Sequence, residues 1–139
     1  MDSTKVIART TDMSENDDLA IIKRRILGFV NERDWTQFHT PKDVAISLSL
    51  EAAEVLEHFQ WKDDDEVTKH LRENKQAVAE ELMDVLYWVV LMCHYFDIDI
   101  PESFEKKMQK NEAKYPATDS RSRHDKYTVY TAAKRKNKT

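Results

Sequence analysis

The chain is short of everything that breaks or staples a polypeptide. Its 139 residues include one glycine, three prolines and one cysteine. So few breakers exclude the many tight turns of a β-sandwich or barrel, and they exclude a glycine-rich phosphate loop. A single cysteine leaves no intramolecular disulfide and no multi-cysteine zinc site. Long apolar runs are missing too: the longest, Val85 to Cys93, is too short to cross a bilayer. Asp2, Asp12, Glu15, Asp17 and Asp18 interrupt the N-terminus, so it has no secretory core. What is present, 40% hydrophobic and 35% charged residues, fits a globular domain rather than a disordered chain. A chain of this length buries about two thirds of its surface on folding, enough for a core without staples. The expectation is a cytoplasmic, mostly helical protein without a membrane partner.

Charge is unevenly spread. From Pro116 onward seven basic side chains face two acidic ones, a net +5, which leaves −9 on residues 1–115. An acidic body does not attract a polyanion unless cations intervene. The basic tail reads as a solvated end or an arm for another subunit, and nucleic acid is not the expected partner.

The apolar pattern divides the chain into a flexible N-terminus (1–16), a helical domain (17–115) and a basic C-terminal tail (116–139). Leu19, Ile22, Ile26, Phe29 and Val30 recur at helical spacing, predicting a first helix that starts near Ser14 and runs to about Asp34. Thr40-Pro41 is a start signal, a capping hydroxyl followed by proline at the first helical position. The second helix carries Val44, Leu48, Ala52, Val55 and Phe59 on one stripe and is expected to stop near Trp61. A short third helix is expected over 64–72, a fourth from near Asn74 to about Phe96, and a fifth from Asp99-Ile100-Pro101 to about Tyr115. From Leu82 onward the fourth is apolar around most of its circumference, which implies burial on several sides. In so small a chain a second subunit would supply part of that cover. The expected fold is all-α: a four- to five-helix bundle completed by homo-oligomerisation.

Two acid pairs stand against this pattern. Glu51 and Glu54 lie three residues apart on the second helix, and Glu81 and Asp84 repeat the spacing on the fourth. At about 100° per residue, both pairs border the stripes meant for the core. Like charges at this spacing repel, more so when partly buried. They can be solvated, can pair with cations of the chain, or can chelate a metal. No Lys or Arg occurs between Lys42 and Lys62 or between Lys75 and Lys106. Four carboxylates without an in-helix counter-charge point to a divalent cation, and all-oxygen ligation favours Mg²⁺, with Mn²⁺ as the alternative. His58, four residues after Glu54, suits metal ligation or an ion pair equally, and Cys93 reads as a packed thiol.

Glu51-x-x-Glu54 followed by Glu81-x-x-Asp84 resembles the metal motif of the MazG-like all-α nucleoside triphosphate pyrophosphohydrolases. The stretches Glu32 to His39, Phe59 to Lys62, Glu80 to Leu86, and Lys107-Met108 with Asn111 and Tyr115-Pro116 look like its dCTP pyrophosphatase branch. The resemblance covers roughly residues 18–116. It implies Mg²⁺-dependent conversion of a (d)NTP, dCTP or a related deoxynucleotide, to NMP and pyrophosphate, in a house-cleaning role. It also implies a homodimer or tetramer. By match, Glu51, Glu54, Glu81 and Asp84 would hold the metal and do the catalysis. Trp35, Thr36, Gln37, Phe38, His39 and Trp61 would line the nucleotide pocket. Lys107, Lys110 and Asn111 would lie near sugar or phosphates. Three positions depart from the pattern: Leu50 replaces a Glu of some superfamily motifs, Ile26 replaces a base-contacting His, and Trp88 replaces a substrate-contacting Tyr. Trp88 therefore joins the expected substrate contacts. The competing readings are a related pyrophosphatase with another nucleotide substrate and a helical oligomerisation module without catalysis.

Overall fold

Local caps set where the helices begin. The computed structural model describes residues 17–121, and all regular structure among them is helical. The expected start at Ser14 lies outside the described residues; within them α1 (Asp18–Asn31) is capped by Asp17, whose carboxylate accepts the Leu19 amide at 3.1 Å. At the start of α2 (Pro41–Glu57), the Thr40 hydroxyl accepts the Asp43 amide at 3.2 Å, with proline in the first turn. The short third helix forms as α3 (Asp64–Glu73). Its acidic start is a capping box: Asp63 takes the Glu66 amide, and Glu66 takes that of Asp63, both at 2.9 Å. Then come α4 (Lys75–Tyr95), α5 (Ile100–Lys114), capped by Asp99, and a single-turn α6 (Ala117–Ser120) that periodicity did not suggest.

Two boundaries differ from expectation. α1 ends at Asn31, because Asp34 adopts a left-handed backbone (φ 53°) that cannot continue a helix. The amide of Gln37 donates to the Asp34 carbonyl at 2.9 Å and to its carboxylate at 2.8 Å, closing a 3₁₀ turn over Trp35–Phe38. α2 ends at Glu57, a turn before Trp61, where the Phe59 and Gln60 amides both bond back to Leu56. That tight ending brings His58 against His70 of α3, ring nitrogens 2.9 Å apart.

The chain divides into two compact units, one ending at Met92 and the other starting at Cys93. In the first, the buried apolar residues are Ile26 and Val30 of α1, Val44 of α2, and Val78, Val90 and Leu91 of α4. Phe29 of α1 meets Tyr87 of α4 edge-on with ring centroids 6.4 Å apart. Large apolar side chains nevertheless remain exposed on α2 (Ile46, Leu50, Leu56) and on α4 (Leu82, Met83, Val89). In the second unit, α5 is largely polar, with Lys106 paired to Glu102. No described helix is long and apolar enough to cross a membrane.

The imidazole of His70 has its pKa lowered, first by loss of solvent and then by the charges of Lys62 and His58. A base held neutral by the fold favours the native state only while it is neutral in both states. Its contribution is complete above the ordinary value of 6.5 and is lost as pH falls below it, toward the lower native value. The unfolding midpoint in urea should therefore drop between pH 7.5 and pH 5.5, and a His70→Gln variant should show a smaller drop.

Candidate active site

The four acids come together. One carboxylate oxygen from each of Glu51, Glu81 and Asp84 lies within 4.8 Å of the others, joining α2 to α4. Glu54 faces the same cluster. Its pKa is raised, chiefly by its hydrogen-bonding approach to Glu81 and by the negative charge of Glu81. Desolvation and the charges of Glu57 and Asp84 push it further the same way. Carboxylates crowded this closely, with no Lys or Arg paired to them among the described residues, form a donor set suited to a hard divalent cation. The residues present fit such an ion.

On one side of the cluster is a cavity of about 500 Å³, within the size range of small-molecule sites. Glu51 and Asp84 supply its acidic wall. Trp35, His39, Tyr87, Trp88 and Phe29 supply its aromatic wall, with Ile26 and Arg25 completing it. The aromatics brace one another: Phe29 meets Trp35 edge-on at 5.5 Å, and Tyr87 and His39 meet Trp88 at 5.1 and 5.5 Å. The Arg33 guanidinium lies 3.8 Å over the Phe29 ring and donates to the Phe29 carbonyl at 3.0 Å, so the turn carrying Trp35 is fastened to the end of α1.

Trp88 has a second task. Its indole N–H donates to Glu51 Oε1 at 3.3 Å, a half-buried bond between α4 and α2. A carboxylate so oriented keeps its other lone pairs for a cation. Trp88→Phe keeps an aromatic ring and removes the donor, so it should weaken divalent-cation affinity by about tenfold, measurable by calorimetry.

The other expected site residues are placed less uniformly. Thr36, Gln37 and Phe38 flank Trp35 in the turn but do not line the cavity, and the Gln37 amide is engaged with Asp34. Trp61 is 86% exposed and lines neither this cavity nor the one beside Glu54. Lys107 and Lys110 are exposed on α5, where Asn111 donates to Met108 Sδ at 3.9 Å; all three belong to the second unit. Periodicity assigned Phe29 and Ile26 to a core stripe, and it passed over Arg25 and Tyr87. Ile26 stands where the resemblance places a base contact; for Arg25, Phe29 and Tyr87, adjacency to Trp35 and Trp88 in the fold, rather than any motif, puts them in the cavity wall.

The comparisons with known proteins agree with this architecture. The MazG-like family model matches residues 46–129, which contain both acid pairs. The chain is 37% identical over 123 residues to dCTP pyrophosphatase 1 of Mus musculus, covering 87% of this chain and 72% of that protein. Against dCTP pyrophosphatase 1 of Homo sapiens it is 38% identical over 109 residues, covering 77% and 64%. The crystal structure of a pyrophosphatase from Archaeoglobus fulgidus superposes with a TM-score of 0.68 at 38% identity, covering 73% of this chain and 94% of that one. The chain belongs to the MazG-like family. Among its relatives it stands with proteins named as dCTP pyrophosphatases.

Proposed function

We propose that this chain is a Mg²⁺-dependent pyrophosphohydrolase that converts dCTP, or a closely related deoxynucleoside triphosphate, and water to the monophosphate and pyrophosphate. That it is an enzyme, a nucleotide diphosphatase, follows from its relatives. The single observation that carries the substrate reading is the junction of an acid cluster with an aromatic cavity: Glu51 and Asp84 belong to both.

A triphosphate carries about four negative charges at neutral pH, and its transition state spreads charge over phosphoryl oxygens. Carboxylates alone would repel it. A Mg²⁺ ion held by Glu51, Glu54, Glu81 and Asp84 would supply the missing positive charge and an acidified water. The protein's share is then positioning. Trp35 and Trp88 offer aromatic faces to a base. Glu51, fixed by Trp88, and Asp84 would hold the ion that meets the charged end at the cavity mouth. Glu54, beside Glu81 in the cluster, is a candidate to orient or deprotonate the attacking water. Ile26 presents no hydrogen-bonding group to the base, so selectivity rests on shape and stacking more than on polar readout at that position.

The exposed apolar residues of α2 and α4 support self-association, with a second copy as their cover. Lys107, Lys110 and Asn111 are proposed phosphate or sugar contacts, from the same chain or a neighbouring one. A pyrophosphate-release screen over canonical and modified (d)NTPs with Mg²⁺ tests the reading. Release from dCTP, abolished by chelation, is expected; no release from any nucleotide would favour a helical module without catalysis.

A further inference from the structure

A second cavity, of about 380 Å³, also borders the acid cluster. Its walls are Glu54, Glu57, His58, Lys62, His70 and Glu81. The four carboxylates are thus divided between two cavities: Glu51 and Asp84 border the aromatic one, Glu54 and Glu81 this polar one. The two cavities therefore share the acid cluster as a common border.

The polar cavity has the donors that the phosphate end of a nucleotide requires. Lys62 is half-buried and makes no ion pair among the described residues. The histidine pair has a defined polarity. The Asn74 side-chain amide, which can only donate, lies 3.2 Å from His70 Nδ1, so that nitrogen accepts. In the neutral ring the proton is then on Nε2, which donates to His58 Nδ1 at 2.9 Å. With Nδ1 accepting, His58 carries its own proton on Nε2, and that N–H has no partner among the described residues. An ammonium and an imidazole N–H therefore remain available beside two of the acids proposed to hold the metal. Such donors suit phosphoryl oxygens whose charge is partly met by a cation.

We infer that this cavity is the leaving-group subsite, in which Lys62 and His58 bind the pyrophosphate end of the nucleotide as its magnesium complex, with His70 and Asn74 as positioning residues for His58. The inference rests on the pyrophosphohydrolase reading above and adds the place of the leaving group to it. Neither Lys62 nor His70 belongs to the acid motif, and the bond between His58 and His70 forms only because α2 ends early.

The test is calorimetric titration of the full-length protein with pyrophosphate in Mg²⁺, and separately with dCMP in Mg²⁺. Lys62→Ala and His58→Leu should each weaken pyrophosphate binding by about tenfold, the loss of one charge-assisted hydrogen bond, and leave dCMP binding unchanged. Lys62→Arg should keep most of the affinity, which separates charge from folding damage. Trp35→Ala should do the reverse, weakening dCMP and sparing pyrophosphate. Equal pyrophosphate affinity in wild type, Lys62→Ala and His58→Leu would overturn the assignment, as would a wild type that binds no pyrophosphate. Because the titration needs no turnover, the two readings fail separately. A protein that binds pyrophosphate through Lys62 but releases none from any (d)NTP upholds the subsite against the enzymatic reading. One that hydrolyses dCTP with unchanged pyrophosphate affinity in both variants loses the subsite alone.

Discussion

Asp84→Ala should lower pyrophosphate release from dCTP by at least about a hundredfold while leaving helix content unchanged. Asp84 is exposed on α4, so its removal opens no cavity in the core. What it removes is one of three oxygens within 4.8 Å of one another, and with it a wall of the aromatic cavity. The apoprotein should lose no thermal stability in Asp84→Ala and should gain some in Asp84→Asn, because one of several repelling charges is gone. The melting temperature of the wild type should rise with Mg²⁺ and nucleotide, and that of the variant should not. Wild-type turnover in Asp84→Ala would contradict the role given to this residue.

Leu91→Ala should cost about 2–5 kcal/mol of stability, the largest structural effect expected of a single substitution in this chain. Leu91 is fully buried, at 0% exposure, and it is among the largest side chains buried to that degree. It lies on the same helix as Glu81, Asp84 and Trp88, seven residues beyond Asp84. The loss is read as a lower urea midpoint with an unchanged slope. Leu91→Met should cost less than about 1.5 kcal/mol, since it keeps volume. Where enough folded protein remains, activity per folded molecule should be near wild type, which distinguishes packing from chemistry.

Much of this was legible in one sequence because it depends on local rules. Thr40-Pro41 and Asp99-Ile100-Pro101 announce helix starts through caps that any helix needs, and the structure uses both. Asp63-Asp64-Asp65-Glu66 forms a reciprocal capping box that gives the short α3 a firm start. The acid pairs were visible because carboxylates at i and i+3 beside an apolar stripe violate the usual pattern. What could not be read depends on where the chain turns. Asp34 reverses the backbone by a left-handed conformation that its neighbours do not encode by spacing, so α1 is shorter than its apolar pattern implies. The early end of α2 creates the His58–His70 contact across twelve residues, a pairing that no periodicity reports. The aromatic wall joins α1, the 3₁₀ turn and α4, so Phe29 and Tyr87 enter the cavity lining only once those elements are packed. Trp88, placed in the sequence only by resemblance, donates a hydrogen bond to Glu51, which only a tertiary contact between α2 and α4 reveals.

The central claim is that the two acid pairs enclose one divalent-cation site at the mouth of a nucleotide cavity. Crystals grown with Mn²⁺ and a dCTP analogue that resists hydrolysis between the α- and β-phosphates test it most directly, through the anomalous scattering of manganese. The account predicts an anomalous peak in contact with carboxylate oxygens of Glu51, Glu81 and Asp84 and with the phosphates, and a base against Trp35 or Trp88. Manganese bound elsewhere, with Glu51, Glu54, Glu81 and Asp84 in contact with water alone, would contradict it.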